Sequence, residues 1–323
     1  MVTSAKVTPA ARPFLKWAGG KRQLVPTIDE HLPTIIRDGT INRYVEPFLG
    51  GGAVFFYIRQ RWEVRQCYIS DDNLDLVNTF VVVRDEFEAL VKALNALGER
   101  YEALTHADRG EMFYEVREDY NSTRDRFVQG ENGDTKVVRA AQTIFLNRTC
   151  FNGLYRVNSK GDYNVPHGRY KNPQICDKEN LRSVSHALQG VRVSWGSYET
   201  CEKYVDDRTF VYFDPPYRPL PNTPSFTAYS KTSSFGDKDQ RSLANFFSVL
   251  HRKGASLMLS NSDPHVTDEA DEFFDNLYAD FNILRVTANR AINSNAKKRG
   301  AITDVLVTNY VTEAQLREKD ASS

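Results

Sequence analysis

The stretch RYVEPFLGGGAVFFYIRQR, residues 43 to 61, decides the fold class. It begins with a short run of β-forming residues, passes through a glycine-rich turn, and becomes helical near Ala53 by the spacing of its apolar residues. Residues 67 to 85, CYISDDNLDLVNTFVVVRD, repeat this scheme with a strand to about Ser70, an acidic turn and a helix from about Leu74. This alternation is typical of a doubly wound, Rossmann-like α/β sheet, which binds its ligands at the carboxyl ends of the strands.

The rest of the chain returns to this alternation only after a long helical interval. Helical spacing and then turn-rich sequence occupy about residues 85 to 190, and strand signals resume in VRVSWGSYE, TFVYFDPPY, GASLMLSNSD, FNILRVTAN and AITDVLVTNY. So long an interval is not a normal connection within a sheet. We therefore expect one α/β domain interrupted by a mostly helical insert, with residues 9–80 and 191–312 in the sheet domain, 81–190 in the insert, and 1–8 and 313–323 as tails.

Composition argues for a globular protein outside the membrane. The chain has 323 residues, of which 41% are hydrophobic and 26% charged. No apolar run approaches the ~20 residues that span a bilayer, and the N-terminus lacks the apolar stretch of a signal peptide, so a cytoplasmic location is expected. The four cysteines form no CxxC pair and the six histidines show no ligand spacing, so no metal site is predicted.

The net charge is zero, with 42 basic and 42 acidic residues, so a surface for nucleic acid would need a local concentration of basic residues. Residues 139 to 171 provide one, since six Lys or Arg stand there against the single acid Asp162. Aromatic residues and glycines are interleaved with these charges. That mixture favours a contact surface for nucleic acid over a merely solvated face.

The glycines of the first turn point to a ligand. Gly50 and Gly52 lie between a strand and a helix, where glycine lets backbone approach a ligand closely, and Asp71 follows at the end of the next strand. An acid about 20 residues beyond such a turn suits the hydroxyls of a ribose. Phe55 stands where a dinucleotide fingerprint has its third glycine, so a nucleoside without phosphates fits better than NAD.

Two further stretches carry chemistry. PFLKWAGGKRQL, residues 13 to 24, is a second glycine turn with Lys16, Trp17 and Lys21, and its indole could face a ligand cation or simply pack at a helix start. VYFDPPYRPL, residues 211 to 220, ends a buried strand with an acid, two prolines and an aromatic ring. Two prolines hold that acid rigidly beside the ring.

Taken together and in order, these segments resemble the Dam-type, α-group DNA adenine-N6 methyltransferases. The resemblance covers nearly the whole chain and also includes ISDDN, FNGLYRVNSKGDYNVPHGRYKNP, FTAYS, LSNSD and KKRGAITDVLVTNY. It implies a methyltransferase sheet that binds S-adenosyl-L-methionine and an insert that recognises double-stranded DNA at GATC. The residues that it assigns to the cofactor are Trp17, Lys21, Glu46, Phe48, Gly50, Gly52, Asp71 and Asp214.

The same resemblance assigns catalysis to Asp214, Pro215, Pro216 and Tyr217. Adenine's exocyclic amine is a poor nucleophile, so holding it in line with a sulfonium methyl group and accepting its hydrogens is what an enzyme can contribute. Asp214 would accept one hydrogen and the carbonyl of Pro215 the other. Tyr217 would stack on a base swung out of the helix.

On the DNA side, the resemblance implies six contacts from the insert and the cofactor turn. Arg156 would read a guanine edge and Leu154 a thymine methyl, while Phe151 and Asn152 would form a wedge in the opened stack. Arg169 would bind near phosphates or an outer base, and Lys16 would contact the first guanine. A basic loop with Lys297, Lys298 and Arg299 is expected to contact phosphates. The alternative for each arginine is a plain phosphate or surface contact.

The sequence leaves other functions open. The same chemistry could act on a different DNA site, on RNA or on a protein side chain, although an acid at position 214 and the target-domain segments count against the last two. A non-catalytic nucleic-acid binder is disfavoured by the intact Asp214 motif. A separately encoded restriction endonuclease is a possible partner, and no obligate protein partner is implied.

Overall fold

A computed structural model of the chain describes residues 10–17, 19–130, 135–218, 235–288 and 302–315. Its centre is a seven-stranded sheet in the order β3-β2-β1-β4-β5-β7-β6. The strands are β1 Arg43–Glu46, β2 Gln66–Asp71, β3 Arg192–Trp195, β4 Thr209–Phe213, β5 Ser256–Ser262, β6 Asn282–Ala288 and β7 Ile302–Thr308.

The strands β1 to β5 run parallel to one another, and β7 lies antiparallel between β5 and β6. The strand order turns outward in both directions from β1 and β4, so the ends of these two strands form the switch point of a doubly wound sheet. The predicted fold class, a doubly wound, Rossmann-like α/β sheet, is confirmed.

Helices cover both faces of the sheet. Within the described ranges they are α1 Val25–Glu30, α2 Ala53–Arg61, α3 Leu74–Asp85, α4 Phe87–Ala103, α5 Asp108–Ser122, α6 Arg124–Val128, α7 Thr135–Thr149, α8 Lys178–Ala187, α9 Asp237–Arg252 and α10 Phe273–Leu277. Helix α3 starts after Asn73, whose side chain accepts a hydrogen bond from the backbone N–H of Leu76 and so caps the helix. None of these helices is long and apolar enough to cross a membrane.

Strand β4 explains why the core has two layers. All five of its residues are buried, and they alternate between two apolar clusters, with Tyr212 in one and Val211 and Phe213 in the other. Successive side chains of a strand point to opposite faces, so a strand covered on both faces reads as a continuous apolar run. The carboxyl end of β4 is therefore fixed rigidly in the core, one residue before Asp214.

The helical segment α4 to α7 is attached to the sheet layer through α3. Helix α7 packs against α3, α4 and α5. At that contact the buried guanidinium of Arg139 pairs with Asp75 of α3 and lies 4.0 Å from the ring centroid of Tyr120. The predicted domain boundary after residue 80 falls within α3, and the division into domains remains a prediction.

Candidate active site and nucleic-acid interface

Three carboxylates lie at the carboxyl ends of adjacent strands around the switch point. Glu46 ends β1, Asp71 ends β2, and Asp214 follows the last residue of β4. The turn that contains Gly50 and Gly52 leaves β1 directly beside them. Because parallel strands end at one edge of the sheet, the predicted cofactor and catalytic residues of these segments lie in one region.

The glycine turn needs its glycines for two reasons. Gly50 and Gly52 have φ angles of 48° and 71°, in the left-handed region that favours glycine. A Cβ atom at Gly50 would also lie 3.0 Å from Cδ1 of Trp17. The turn is joined to β2 because the N–H of Gly50 donates to Oδ2 of Asp71 at 2.9 Å.

Of the two acids beside the glycine turn, Glu46 is buried and Asp71 is half-buried, and loss of solvation is the main influence on the protonation of both. Glu46 is buried and accepts a hydrogen bond from the hydroxyl of Tyr44 at 2.7 Å. Burial, reinforced by the nearby Asp214 and Asp71, holds the pKa of Glu46 well above its usual range. Burial, together with the charge of Asp72, raises the pKa of Asp71 to about 7.

The carboxylate of Asp214 is held by a cation and a hydroxyl. Its Oδ1 lies 2.6 Å from Nζ of Lys21, whose side chain is only 6% exposed, and it accepts a hydrogen bond from Oγ of Ser260 at 3.2 Å. The hydroxyls of Ser260 and Tyr212 are in turn 2.8 Å apart. Burial raises the pKa of Asp214 while the Lys21 ammonium opposes that rise, so the carboxyl titrates above its ordinary value.

Tyr217 lies over the same ammonium group. The centroid of its ring is 4.2 Å from Nζ of Lys21, and its hydroxyl donates to Oδ2 of Asp304 at 3.4 Å. The carbonyl of Pro216 accepts a hydrogen bond from the side-chain amide of Gln240 at 3.1 Å. The structure thus brings Lys21, Asp214 and Tyr217 into contact with one another, and Ser260, Asp304 and Gln240 join them.

Aromatic side chains lie around the glycine turn and the neighbouring strand ends. Trp17 stacks on Tyr155, with ring centroids 5.2 Å apart and planes at 24°, so its indole packs between the two glycine turns and the segment that follows α7. Phe48 stacks on Tyr198 at 5.3 Å. Trp195, at the end of β3, is 57% exposed and donates from its indole N–H to the carbonyl of Asp72 at 3.0 Å.

Five of the predicted DNA-binding residues, Phe151, Asn152, Leu154, Arg156 and Arg169, lie in the segments after α7. Phe151 is 51% exposed, and Asn152 and Arg169 both have positive φ angles, 56° and 54°. Tyr170 joins two of the predicted residues, because its hydroxyl accepts from the N–H of Asn152 at 2.9 Å and its ring centroid lies 5.2 Å from Nζ of Lys16.

Arg156 and Leu154 lie in the same segment. Arg156 is exposed and its Nε donates to Oδ1 of Asn164 at 2.7 Å, whereas Leu154 is partly buried. The remaining predicted contacts, Lys297, Lys298 and Arg299, lie outside the described residues.

Sequence reasoning missed the polar residues that hold these groups in place. Ser260, Asn261 and Ser262 stand in β5, whose seven residues are all buried. A run of polar residues inside a buried strand is a usable signal, because buried polar groups need hydrogen-bond partners. Asn147 of α7 and Gln240 of α9 carried no comparable signal, since each reads as an ordinary polar residue of a helix.

Within the described ranges, no three of His, Cys, Asp and Glu are grouped so that they could hold a metal ion. The side chains at the switch point suit an organic ligand. Carboxylates and aromatic rings surround the glycine turn there, and these groups can accept hydrogen bonds from hydroxyl or amino groups and stack on planar rings.

Comparison with known proteins agrees with this arrangement. The family described as D12 class N6 adenine-specific DNA methyltransferase matches residues 17 to 292. The type II methyltransferase M.MjaIII of Methanocaldococcus jannaschii is 47% identical over 300 residues, which cover 93% of this chain and 99% of the relative. The type II methyltransferase M1.LlaDCHI of Lactococcus lactis subsp. cremoris is 40% identical over 304 residues, 93% of this chain and 95% of the relative.

The DNA adenine methylase of Escherichia coli K12 is 33% identical over 295 residues, which cover 91% of this chain and 94% of the relative. The matched range contains the glycine turn, Asp71, the helical segment and Asp214 with its two prolines. The chain therefore belongs to the D12 class of N6 adenine-specific DNA methyltransferases.

Proposed function

We propose that this enzyme transfers a methyl group from S-adenosyl-L-methionine to the exocyclic amine of an adenine in GATC, after the base has left the double helix. The observation that carries the proposal is the position of Asp214. It follows β4 at the switch point, beside the glycine turn and the Tyr217 ring, and it is held by Lys21 and Ser260.

The residues of the switch point fit S-adenosyl-L-methionine, which when bound supplies an electrophilic methyl carbon on a sulfonium. Asp71 offers a carboxylate for ribose hydroxyls at the end of β2, and Gly50 and Gly52 allow close approach of the ligand. The buried Glu46 offers an acceptor for an amino group. Trp17, Lys21, Phe48 and Asp214 complete the set of residues assigned to this cofactor.

Asp214 acts by accepting a hydrogen from the adenine amine. The amine's lone pair becomes available for bond formation as its hydrogens are drawn to acceptors, and the carbonyl of Pro215 takes the second one. Lys21 and Ser260 favour the ionised form of the Asp214 carboxylate against the effect of burial and orient it for this task. Pro215 and Pro216 restrict the backbone, and Tyr217 supplies the face on which the extruded base stacks.

Recognition of DNA is assigned to the segments after α7. Arg156 reads a guanine edge and Leu154 contacts a thymine methyl. Phe151 and Asn152 form the wedge, Lys16 contacts the first guanine, and Arg169 binds phosphate or an outer base. The exposure of Phe151 and the position of Tyr170 between Lys16 and Asn152 support one shared surface. The basic residues Lys297, Lys298 and Arg299 are proposed to contact phosphates.

A labelled-methyl transfer assay tests the proposal. We expect transfer to duplexes that contain GATC and none to duplexes in which that adenine is replaced, with N6-methyladenine as the product. Transfer to duplexes that lack GATC would instead favour the same chemistry at another DNA site. Transfer to RNA alone would overturn the assignment of duplex DNA as substrate.

The names of two relatives, both type II methyltransferases, support a second proposal: a separately encoded restriction endonuclease cuts the same site. Expression of the enzyme in cells, followed by digestion of their DNA with an endonuclease that cuts unmethylated GATC, would test the shared target. Complete digestion would contradict it.

A further inference from the structure

Three backbone groups in or directly after the catalytic motif, at Pro216 and Arg218, are bonded to buried side chains of other elements. The carbonyl of Pro216 accepts from Nε2 of Gln240 at 3.1 Å, and the N–H of Arg218 donates to Oδ1 of Asn261 at 3.0 Å. The carbonyl of Arg218 accepts from Oγ of Ser262 at 2.9 Å. Tyr217, which is proposed to stack on the adenine, lies between the first two of these bonds.

Gln240 and Asn261 are also bonded to each other. Nδ2 of Asn261 donates to Oε1 of Gln240 at 3.2 Å, so the two amides and the backbone from Pro216 to Arg218 form a closed ring of hydrogen bonds. Both side chains are fully buried. If the Gln240 amide were reversed, its oxygen would face the carbonyl of Pro216, so the direction of each bond in the ring is determined.

We propose that Gln240 and Asn261, which we call the amide clamp, are positioning residues for methyl transfer. They hold the backbone on both sides of Tyr217 and thereby fix the ring of Tyr217 and the preceding carbonyl of Pro215 relative to Asp214. This inference rests on the proposed roles of Asp214, Pro215 and Tyr217.

The physical reason is the steep dependence of transfer on alignment. A displacement of about 1 Å in a group that aligns the reactants can lower the rate about 100-fold. Pro215 and Pro216 fix their own φ angles, but they do not fix Tyr217. The clamp supplies that restraint from β5 and α9, two elements that the core holds rigidly.

Gln240→Met keeps the volume of the side chain and removes both of its hydrogen bonds. We expect single-turnover methyl transfer to fall about 10- to 100-fold with unchanged dissociation constants for the methyl donor and for DNA. The matched control is Gln142→Met, because Gln142 is a buried glutamine of α7 that donates to Asp119, away from the catalytic motif. Equal rates in the two variants would overturn the proposal.

Gln240→Glu separates alignment from packing. Its protonated carboxyl can donate to the carbonyl of Pro216 and accept from Asn261, whereas its ionised form repels that carbonyl. We expect its transfer rate, relative to the wild-type rate at the same pH, to rise as the pH falls, while the ratio for Gln240→Met stays constant. A ratio for Gln240→Glu that does not change with pH would count against the clamp.

Asn261→Asp provides a second route if Gln240→Met does not fold. This substitution keeps the acceptor for the N–H of Arg218 and removes the donor to Gln240. We therefore expect slower methyl transfer at saturating substrate concentrations. A transfer rate equal to that of the wild type would overturn the inference. If the wild-type enzyme does not methylate adenine in duplex DNA, the proposed function fails. If it does and the clamp variants match their control, only the clamp fails.

Discussion

Lys16 and Asn147 exchange two hydrogen bonds, so a buried side chain of α7 joins the first glycine turn to the segment that we propose binds DNA. The N–H of Lys16 donates to Oδ1 of Asn147 at 2.8 Å, and Nδ2 of Asn147 donates to the carbonyl of Lys16 at 2.8 Å. The same Nδ2 donates to the carbonyl of Gly153 at 3.0 Å. The side-chain amide of Asn147 therefore sets the distance between Lys16, which is proposed to contact DNA, and Gly153, which directly precedes Leu154.

Asn147→Leu should lower both stability and sequence discrimination. It removes the partner of the part-buried N–H and carbonyl of Lys16 and of the buried carbonyl of Gly153, at a cost of up to about 1–3 kcal/mol for a group that water cannot reach. Chemical denaturation measures the stability, and transfer rates on GATC and single-base variants measure the discrimination.

Asn180→Leu is the matched control for this change. Asn180 is also buried and exchanges the same pair of hydrogen bonds with Arg12, away from the DNA-binding segment. We expect it to lose stability with its discrimination intact. Equal discrimination in the two variants would show that Asn147 has only a structural role.

Lys21→Met should shift the acid limb of the pH profile of transfer to higher pH. The pKa of Asp214 is already raised by burial, and the Lys21 ammonium limits that rise. In the proposed mechanism the ionised carboxylate is the acceptor, so activity falls as the pH drops through the folded-state pKa of Asp214, and loss of the ammonium raises that pKa. Single-turnover rates from pH 5 to 9 check this, and a limb that moves to lower pH would contradict it.

Binding of the methyl donor should weaken as the pH falls below about 7, because burial and Asp72 raise the pKa of Asp71 to about 7. If only the ionised carboxylate accepts from ribose hydroxyls, affinity drops up to about tenfold per pH unit below that pKa. Calorimetric titration across this range measures it. Asp71→Asn should bind weakly at every pH with a flatter profile, and an unchanged slope in this variant would assign the pH dependence to another group.

Gly50→Ala should lower the affinity for the methyl donor more than Gly39→Ala does, because only the first substitution adds a steric contact to the backbone strain of a positive φ. An alanine Cβ there lies 3.0 Å from the Trp17 ring at a φ of +48°. Gly39→Ala is the control. Gly39 has a φ of +79°, and no neighbouring atom lies within 4 Å of the added Cβ. This variant therefore carries the backbone strain of about 1–2 kcal/mol without a steric contact like the one to Trp17. Equal donor affinities in the two variants would contradict the proposed role of the turn.

Arg156→Ala should relax the choice of one base at a cost of about 1–3 kcal/mol, because a bidentate contact to guanine is lost. Arg169→Ala should weaken binding more evenly across sequences, as expected for a phosphate contact. Competition binding with single-base variants of GATC separates the two. Unchanged discrimination in Arg156→Ala would remove that residue from base recognition.

The sequence by itself determined the main strands and helices of the sheet domain and the functional groups that stand on consecutive residues. The strand before Asp214, the glycine turn and the helix from Leu74 were predictable because period-two and helical apolar spacing, glycine and proline act through neighbouring residues. The predicted start of the helix near Ala53 agrees with α2.

Only the tertiary structure decided which distant side chains hold the site. Lys21 against Asp214, Asn147 against Lys16, and Gln240 against Pro216 join residues from separate elements. Their pairing depends on the direction of each side chain and on its burial, which follow from how the helices pack on the sheet. Local sequence preference carries no information about that packing, so these contacts could not be predicted from the residues alone.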